Sequence, residues 1–222
     1  MHNSSGYIII EGNIGVGKST FAQILAEAFT RAGFRSEYLP EPDETTNPFL
    51  APYYDDPAGT AYKMQMHLLH QRFKATRYAQ AAALAGKGWY ILDRSYYGDI
   101  CFANVQRQSR YFTEAECESY LDAHRNMREF IEQPTCAIFL KAKPETCAAR
   151  ICQRNRTCEA GVQLSYLQAL QNEIDYLQDV LTRRGPVLTL DWDEPKTRED
   201  LQQEADLIVK RLTQQTRKDW DF

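Results

Sequence analysis

Nine residues, Gly12-Asn-Ile-Gly-Val-Gly-Lys-Ser-Thr20, constrain the fold of this chain more than any others. They fit G-x-x-x-x-G-K-[ST] and stand between an apolar run (Tyr7 to Ile10) and an amphipathic one (Phe21, Ile24, Leu25, Ala28, Phe29). Strand, glycine-rich loop and helix in that order make a cradle for the phosphates of a nucleotide. Gly12, Gly15 and Gly17 let the backbone turn so that its N–H groups converge on one anion. The N-terminus of the following helix adds the positive end of its dipole. Lys18 is placed to reach the β- and γ-phosphates and the Ser19 hydroxyl to hold Mg²⁺, with Asn13 and Thr20 in the same loop. The motif implies a nucleoside triphosphate, with ATP and Mg²⁺ as the expected pair, and does not decide where the γ-phosphate goes.

The remaining chain fits an α/β fold around that loop. Five short β-rich runs stand out: Tyr7–Glu11, Ser36–Pro40, Trp89–Asp93, Cys136–Lys141 and Val187–Asp191. Helical patterns separate them: one from Ser19, a long one over roughly Ala58 to Ala85, then Tyr97–Arg107, Glu114–Ile131, Pro144–Cys152, Leu164–Arg183 and Thr197–Thr213. Strands alternating with helices predict a five-stranded parallel sheet with right-handed crossovers. The strands are apolar with little alternation, as expected when helices cover both faces. With 222 residues, no repeat and no long linker, one domain over residues 1–222 is the expectation.

Composition excludes several classes. A formal charge of -4 makes a long polyanion such as DNA or RNA an unlikely main partner, so any anion site must be local. No apolar run approaches a membrane-spanning length, and the Met1-His-Asn-Ser-Ser5 start shows no secretion signal. Six cysteines form no C-x-x-C pair or zinc-like spacing, which suits reduced thiols and a cytoplasmic protein.

In a parallel sheet, ligands bind at the carboxyl ends of the strands. Here those ends carry acids: Leu39-Pro-Glu-Pro-Asp43, Leu92-Asp-Arg-Ser95 and Leu190-Asp-Trp-Asp-Glu194. Phosphoryl transfer needs a metal ligand and a group that orients or deprotonates the acceptor, and on position Asp93 or Glu41 suits either task. Arg94 follows Asp93 and can stabilise the transferred charge or pair with a nearby carboxylate; a pair with Glu41 would position both. Arg150 and Arg154 share a helix face and Arg156 follows them, making either a solvated basic face or a lid over the triphosphate at about 150–163. Glu159 would form its polar tip and Gly161 a hinge. On the long helix, Gln65 and Arg72 lie seven apart beside Met64, Leu68, Leu69 and Phe73. A Gln amide both donates and accepts, as recognition of a base edge requires.

Together these pieces resemble the deoxyribonucleoside kinase family of deoxycytidine, deoxyguanosine and deoxyadenosine kinases. The resemblance runs from Tyr7 to about Leu212 and rests on E-G-N-I-G-V-G-K-S-T, Glu41-Pro42, Asp93-Arg94-Ser95 and the R-x-x-x-R-x-R of Arg150, Arg154 and Arg156. It implies transfer of the γ-phosphate of ATP to the 5′-hydroxyl of a deoxynucleoside, for nucleotide salvage, with Glu41 as general base. By the same resemblance Gln65 reads the base, Arg72 and Asp99 lie beside it, and Phe102 is a candidate to stack on it. Tyr54 and Glu159 would hold the 3′-hydroxyl. The Asp191-Trp-Asp193 loop would cradle the donor base.

Relatives that accept thymidine well tend to replace the Arg and Asp beside the base. Both remain here as Arg72 and Asp99, which favours deoxyadenosine, deoxyguanosine or deoxycytidine. The stretch from Asn47 to Pro57 looks most like bacterial purine deoxynucleoside kinases. One departure is the segment Asp43-Glu-Thr-Thr-Asn47, where many relatives carry a Trp, so the base pocket is wider or lined differently. The resemblance also implies a homodimer, or a heterodimer with a paralogue, formed through helices. Two rivals share parts of the pattern: a nucleoside monophosphate kinase such as thymidylate kinase, and a switch-like NTP-binding protein without transfer.

Overall fold

A tri-isoleucine run decides the centre of the molecule. In the computed structural model, which describes residues 4–42, 45–154 and 161–214 (with the Tyr54 side chain outside the description), this run lies in β1 (Gly6–Gly12), whose every residue is buried. β1 pairs in parallel with β3 (Trp89–Asp93) on one side and β4 (Cys136–Lys141) on the other. β2 (Ser36–Leu39) extends the sheet beyond β3, and β5 (Val187–Asp191) beyond β4. The order is therefore β2-β3-β1-β4-β5; the five parallel strands are those that the sequence pattern predicts.

Helices cover both faces. Ile8 and Ile10 of β1 point to one side with Ile91 and Ile138, against Phe21, Leu25 and Phe29 of α1 (Lys18–Arg31) and Ala205, Ile208 and Leu212 of α8 (Arg198–Gln214). Tyr7 and Ile9 point to the other with Leu92 and Phe139. There they meet Leu69 and Ala79 of α3 (Pro57–Leu84), Phe102 and Val105 of α4 (Tyr96–Gln108), and Leu170 and Ile174 of α7 (Leu164–Thr182). Apolar side chains on both faces explain why β1 reads as a continuous run and not as an alternation.

Caps set several boundaries. Asp56 accepts a hydrogen bond from the Gly59 amide at 3.0 Å, and Pro57 follows as the first helical residue, so α3 begins abruptly and runs about 42 Å. α5 (Glu114–Arg128) opens on a capping box between Thr113 and Glu116. α6 (Pro144–Arg154) and α2 (Leu50–Asp55) complete the set. The sequence pattern does not anticipate α2: six residues with Pro52 inside them are too few for a helical period, and the proline is tolerated within the first turn. Because the strands are parallel, the segments after β1, β2, β3 and β5 open on one edge of the sheet.

Candidate active site

The loop between β1 and α1 wraps a void with backbone alone. Gly15 has φ 79, and a Cβ there would sit 2.7 Å from the Cys147 carbonyl oxygen and from Ile151. Gly17 has φ 110 and caps α1, with the Trp192 indole 3.2 Å from where its Cβ would be. Both positions require glycine, for backbone angle and for space. The Asn13 side chain points away from the loop mouth. It donates to the Leu167 carbonyl at 2.8 Å and to Gln171 Oε1 at 3.2 Å, tying the loop to α7. Lys18 folds back, donating to the Asn13 carbonyl at 2.8 Å. Burial and, next, the Arg94 charge pull its ammonium down to about 8.

Ser19, on the first turn of α1, donates its hydroxyl hydrogen to Asp93 Oδ2 at the end of β3. Asp93 Oδ1 is buried without a partner among the described residues. A hydroxyl beside a carboxylate with an open oxygen fits a hard divalent cation completed by phosphate oxygens and water. No group of three or more His, Cys, Asp or Glu side chains among the described residues offers an alternative metal cage.

Glu41 follows β2 and faces two arginines. Arg72 of α3 donates to its Oε1, and Arg94 Nε to its Oε2 at 3.0 Å. The pairing with Arg94 suggested by their positions is present. Arg94 sits at φ 65, a left-handed conformation that costs roughly 1–3 kcal/mol for a non-glycine residue. Its Nη1 donates to the Gly12 carbonyl at 2.9 Å, so the guanidinium joins the phosphate loop to Glu41. Burial alone would raise the Glu41 carboxyl, but Arg94, Arg72 and Lys18 outweigh it and hold the pKa at about 2. The Glu41 side chain remains 28% exposed and lines the cleft. Phe102 lies under both cations, its ring centroid 4.9 Å from the Arg72 guanidinium carbon and 4.6 Å from that of Arg94.

Behind this wall Asp99 is a buried node. Its carboxylate accepts from Arg72 Nη1 at 2.6 Å, Gln65 Nε2 at 2.9 Å and the Tyr120 hydroxyl at 2.6 Å. Gln65 Nε2 also donates to the Asp99 carbonyl, and Gln65 Oε1 has no donor among the described residues. Neither Gln65 nor Asp99 is among the described residues lining the cleft, although Met64, Leu68, Arg72 and Phe102 are. The cleft itself is about 1030 Å³ and is continuous from Gly15, Lys18, Ser19 and Thr20 past Glu41 to Tyr53 and Tyr111. One end thus offers phosphate-binding backbone and the other a largely apolar chamber, separated by Glu41 and its arginines.

The basic helix divides in role. Arg150 donates to the carbonyls of Val16 (3.2 Å), Trp192 (2.8 Å) and Asp193 (3.1 Å), clamping the phosphate loop to the loop after β5. Arg154 lines the cleft. The Asp193 carboxylate accepts from the Thr146 hydroxyl at 2.6 Å and the Lys143 amide at 2.9 Å. Asp191 accepts from the Asp193 amide at 3.0 Å. These acids therefore shape the loop from within. Arg156, Glu159 and the Tyr54 side chain lie outside the described residues.

Sequence reasoning missed Glu11 and Tyr120. Glu11 is 1% exposed, and its Oε1 accepts from the Ser95 amide at 3.0 Å and hydroxyl at 2.7 Å. Burial raises its pKa, partly countered by Arg94. An acid closing a run of isoleucines was the available signal. Tyr120 carries none, because a tyrosine suits surface and core alike.

A family model described as deoxynucleoside kinase matches residues 8–215. The chain is similar to a deoxyadenosine kinase of Dictyostelium discoideum, 32% identical over 189 residues that cover 85% of this chain and 73% of the relative. It is also similar to a deoxyguanosine kinase of Bacillus subtilis, 29% identical over 196 residues covering 86% and 88%. Among solved structures, a deoxyadenosine kinase from M. mycoides with bound dATP superposes with a TM-score of 0.74 at 26% identity, covering 93% of this chain and 98% of that one.

Proposed function

Since the chain belongs to the deoxynucleoside kinase family, an ATP-dependent group of phosphotransferases, we propose that its cleft selects deoxyadenosine, deoxyguanosine or deoxycytidine over thymidine. The observation that carries this selectivity is Arg72 paired with Asp99 at the acceptor end, and the transfer itself rests on Glu41, held by Arg72 and Arg94 in the same cleft as Lys18 and Ser19. Glu41 stands where the phosphate end meets the chamber, so a 5′-hydroxyl entering from the chamber meets a carboxylate before it meets phosphate. A carboxylate held at about 2 is a weak base for an alcohol, so Glu41 acts mainly by orienting the hydroxyl and accepts its proton late. Arg94, already bonded to the loop carbonyl of Gly12, spreads charge on the transferred group, with Lys18 and Arg154 of α6. Ser19 and Asp93 would hold Mg²⁺, which would supply positive charge to offset that of the phosphates. Lys18 leaves the Asn13 carbonyl for phosphate, and Arg150 keeps the Trp192 loop against the phosphate loop.

At the acceptor end, Phe102 and Arg72 line the cleft, and Gln65 and Asp99 lie directly behind them, to be met by the base once the lining side chains shift. Gln65 Oε1, unpaired among the described residues, supports a base with an amino group. Tyr54 and Glu159 are proposed for the 3′-hydroxyl. We further infer a cytoplasmic salvage enzyme of one domain with a lid at about 150–163, working as a homodimer. That no described helix is long and apolar enough to cross a membrane is compatible with this.

The test is Mg²⁺- and ATP-dependent phosphorylation across deoxyadenosine, deoxyguanosine, deoxycytidine, thymidine, adenosine and dTMP. The expected order places the first three above thymidine in kcat/KM. Thymidine preference would overturn the selectivity, and turnover of dTMP alone would return the monophosphate kinase reading. Light scattering tests the dimer.

A further inference from the structure

α5 is a half-exposed, polar helix that sends a single wholly buried side chain into the molecule, Tyr120, at 1% exposure. That side chain is fixed on every side. Its ring lies between Phe112 (centroids 6.2 Å apart) and His124 (5.9 Å, stacked). His124 is itself stacked on Tyr96 at 4.4 Å, and the Tyr96 hydroxyl donates to the His124 carbonyl. The Tyr120 hydroxyl ends on Asp99 Oδ2, the oxygen that also receives Gln65 Nε2.

The consequence lies in what Asp99 has left to give. A carboxylate has about four acceptor positions. Arg72 takes one on Oδ1, and Gln65 and Tyr120 take two on Oδ2. With Oδ2 saturated the carboxylate cannot turn, and the Gln65 amide is locked with its NH₂ inward. The opposite amide orientation would set Oε1 against a carboxylate. Among the described residues, Gln65 is thereby left with an acceptor as its one unused atom.

We propose that Tyr120 is a specificity-positioning residue: its hydroxyl, through Asp99, fixes the Gln65 amide so that the acceptor subsite favours a base presenting an amino group over one presenting a carbonyl. The inference rests on the reading that Gln65 selects the acceptor base. The phenol stays protonated, because burial and then the Asp99 charge raise its pKa well above the usual value, so the device works at any pH the protein tolerates.

Tyr120→Phe keeps the ring between Phe112 and His124 and removes the hydroxyl. Oδ2 then loses a charge-assisted donor: the carboxylate keeps Arg72 on Oδ1 but is less firmly fixed on Oδ2, and the Gln65 amide, now held inward mainly by the Asp99 carbonyl, can more readily turn its NH₂ toward a base carbonyl. The preference for deoxyadenosine over thymidine, measured as the ratio of kcat/KM values, should fall about tenfold, the worth of one such hydrogen bond. The change should fall in KM, with kcat on deoxyadenosine within about twofold. Equal losses on every acceptor would mark Tyr120 as merely structural and overturn the proposal, as would an unchanged ratio. Gln65→Ala separates the two layers: if it too leaves the ratio untouched, the reading of Gln65 has failed, whereas a change in Gln65→Ala alone sinks only Tyr120. Should Tyr120→Phe not fold, 3-fluorotyrosine at position 120, a stronger donor of the same shape, should raise the ratio, and a ratio that stays put counts against the proposal.

Discussion

Replacing Glu41 by Gln keeps the side chain's size and removes its charge, which isolates what the carboxylate does between Arg72 and Arg94. Burial opposes its ionisation, yet Arg94, Arg72 and Lys18 together hold the pKa at about 2 against a reference of 4.5. At 1.36 kcal/mol for each pH unit, the depression corresponds to about 3 kcal/mol of attraction that the neutral form does not feel. Because the folded-state pKa lies below the unfolded one, this stability is present in full above about pH 4.5 and is lost as pH falls to about 2. Gln stands in for the protonated carboxyl. Glu41→Gln should therefore be about 3 kcal/mol less stable than wild type at pH 7, with the gap narrowing below pH 4.5 and closing near pH 2. Urea unfolding followed by circular dichroism at a series of pH values measures the gap directly. In the same preparation, kcat should fall roughly 10²- to 10⁴-fold at pH 7 while the protein remains folded. A gap that stays constant with pH, or a variant as stable as wild type at pH 7, would refute the electrostatic account. Unimpaired turnover would remove Glu41 from the chemistry.

Gly15→Ala should lose roughly 2–4 kcal/mol, from a positive φ and from a Cβ driven against the Cys147 carbonyl; a calorimetric melt unchanged from wild type would show that the loop yields. With Lys18 at about 8, its ammonium is increasingly absent above that pH, so ATP binding at pH 8.5 should take up a proton. Titration calorimetry in two buffers of different ionisation enthalpy reads this, and no uptake contradicts it. Arg150→Met keeps the stem and releases the carbonyls of Val16, Trp192 and Asp193. It should raise the KM for ATP about tenfold and leave the acceptor KM alone, whereas equal rises in both would argue against a clamp on the donor side.

The legible part of the fold was its sheet. All five strands fall within one residue of the runs read from sequence, because a strand buried on both faces must be apolar throughout. α2 was not legible, since six residues around Pro52 carry no period. In the site, Lys18, Ser19, Glu41, Asp93 and Arg94 were located by a local rule, that chemistry collects at strand ends. What escaped was contact between distant segments. Nothing in the spacing says that Asn13 spends its amide on Leu167, that Asp193 turns to Thr146, or that Tyr120 completes Asp99. Each depends on how helices from opposite ends of the chain pack, which no periodicity records.

The central position of β1 has a further consequence, for synthesis. Its isoleucines are made before both of their partner strands, β3 ending at Asp93 and β4 at Lys141. At 5–20 residues per second, a ribosome needs roughly 6 to 26 seconds between completing β1 and completing β4. For that interval Ile8-Ile9-Ile10 lacks one of its two flanking strands, so the nascent chain carries its most β-prone segment unprotected. The sheet order that puts the phosphate loop at the centre of the molecule also leaves its central strand unpaired on one side until β4 has been made.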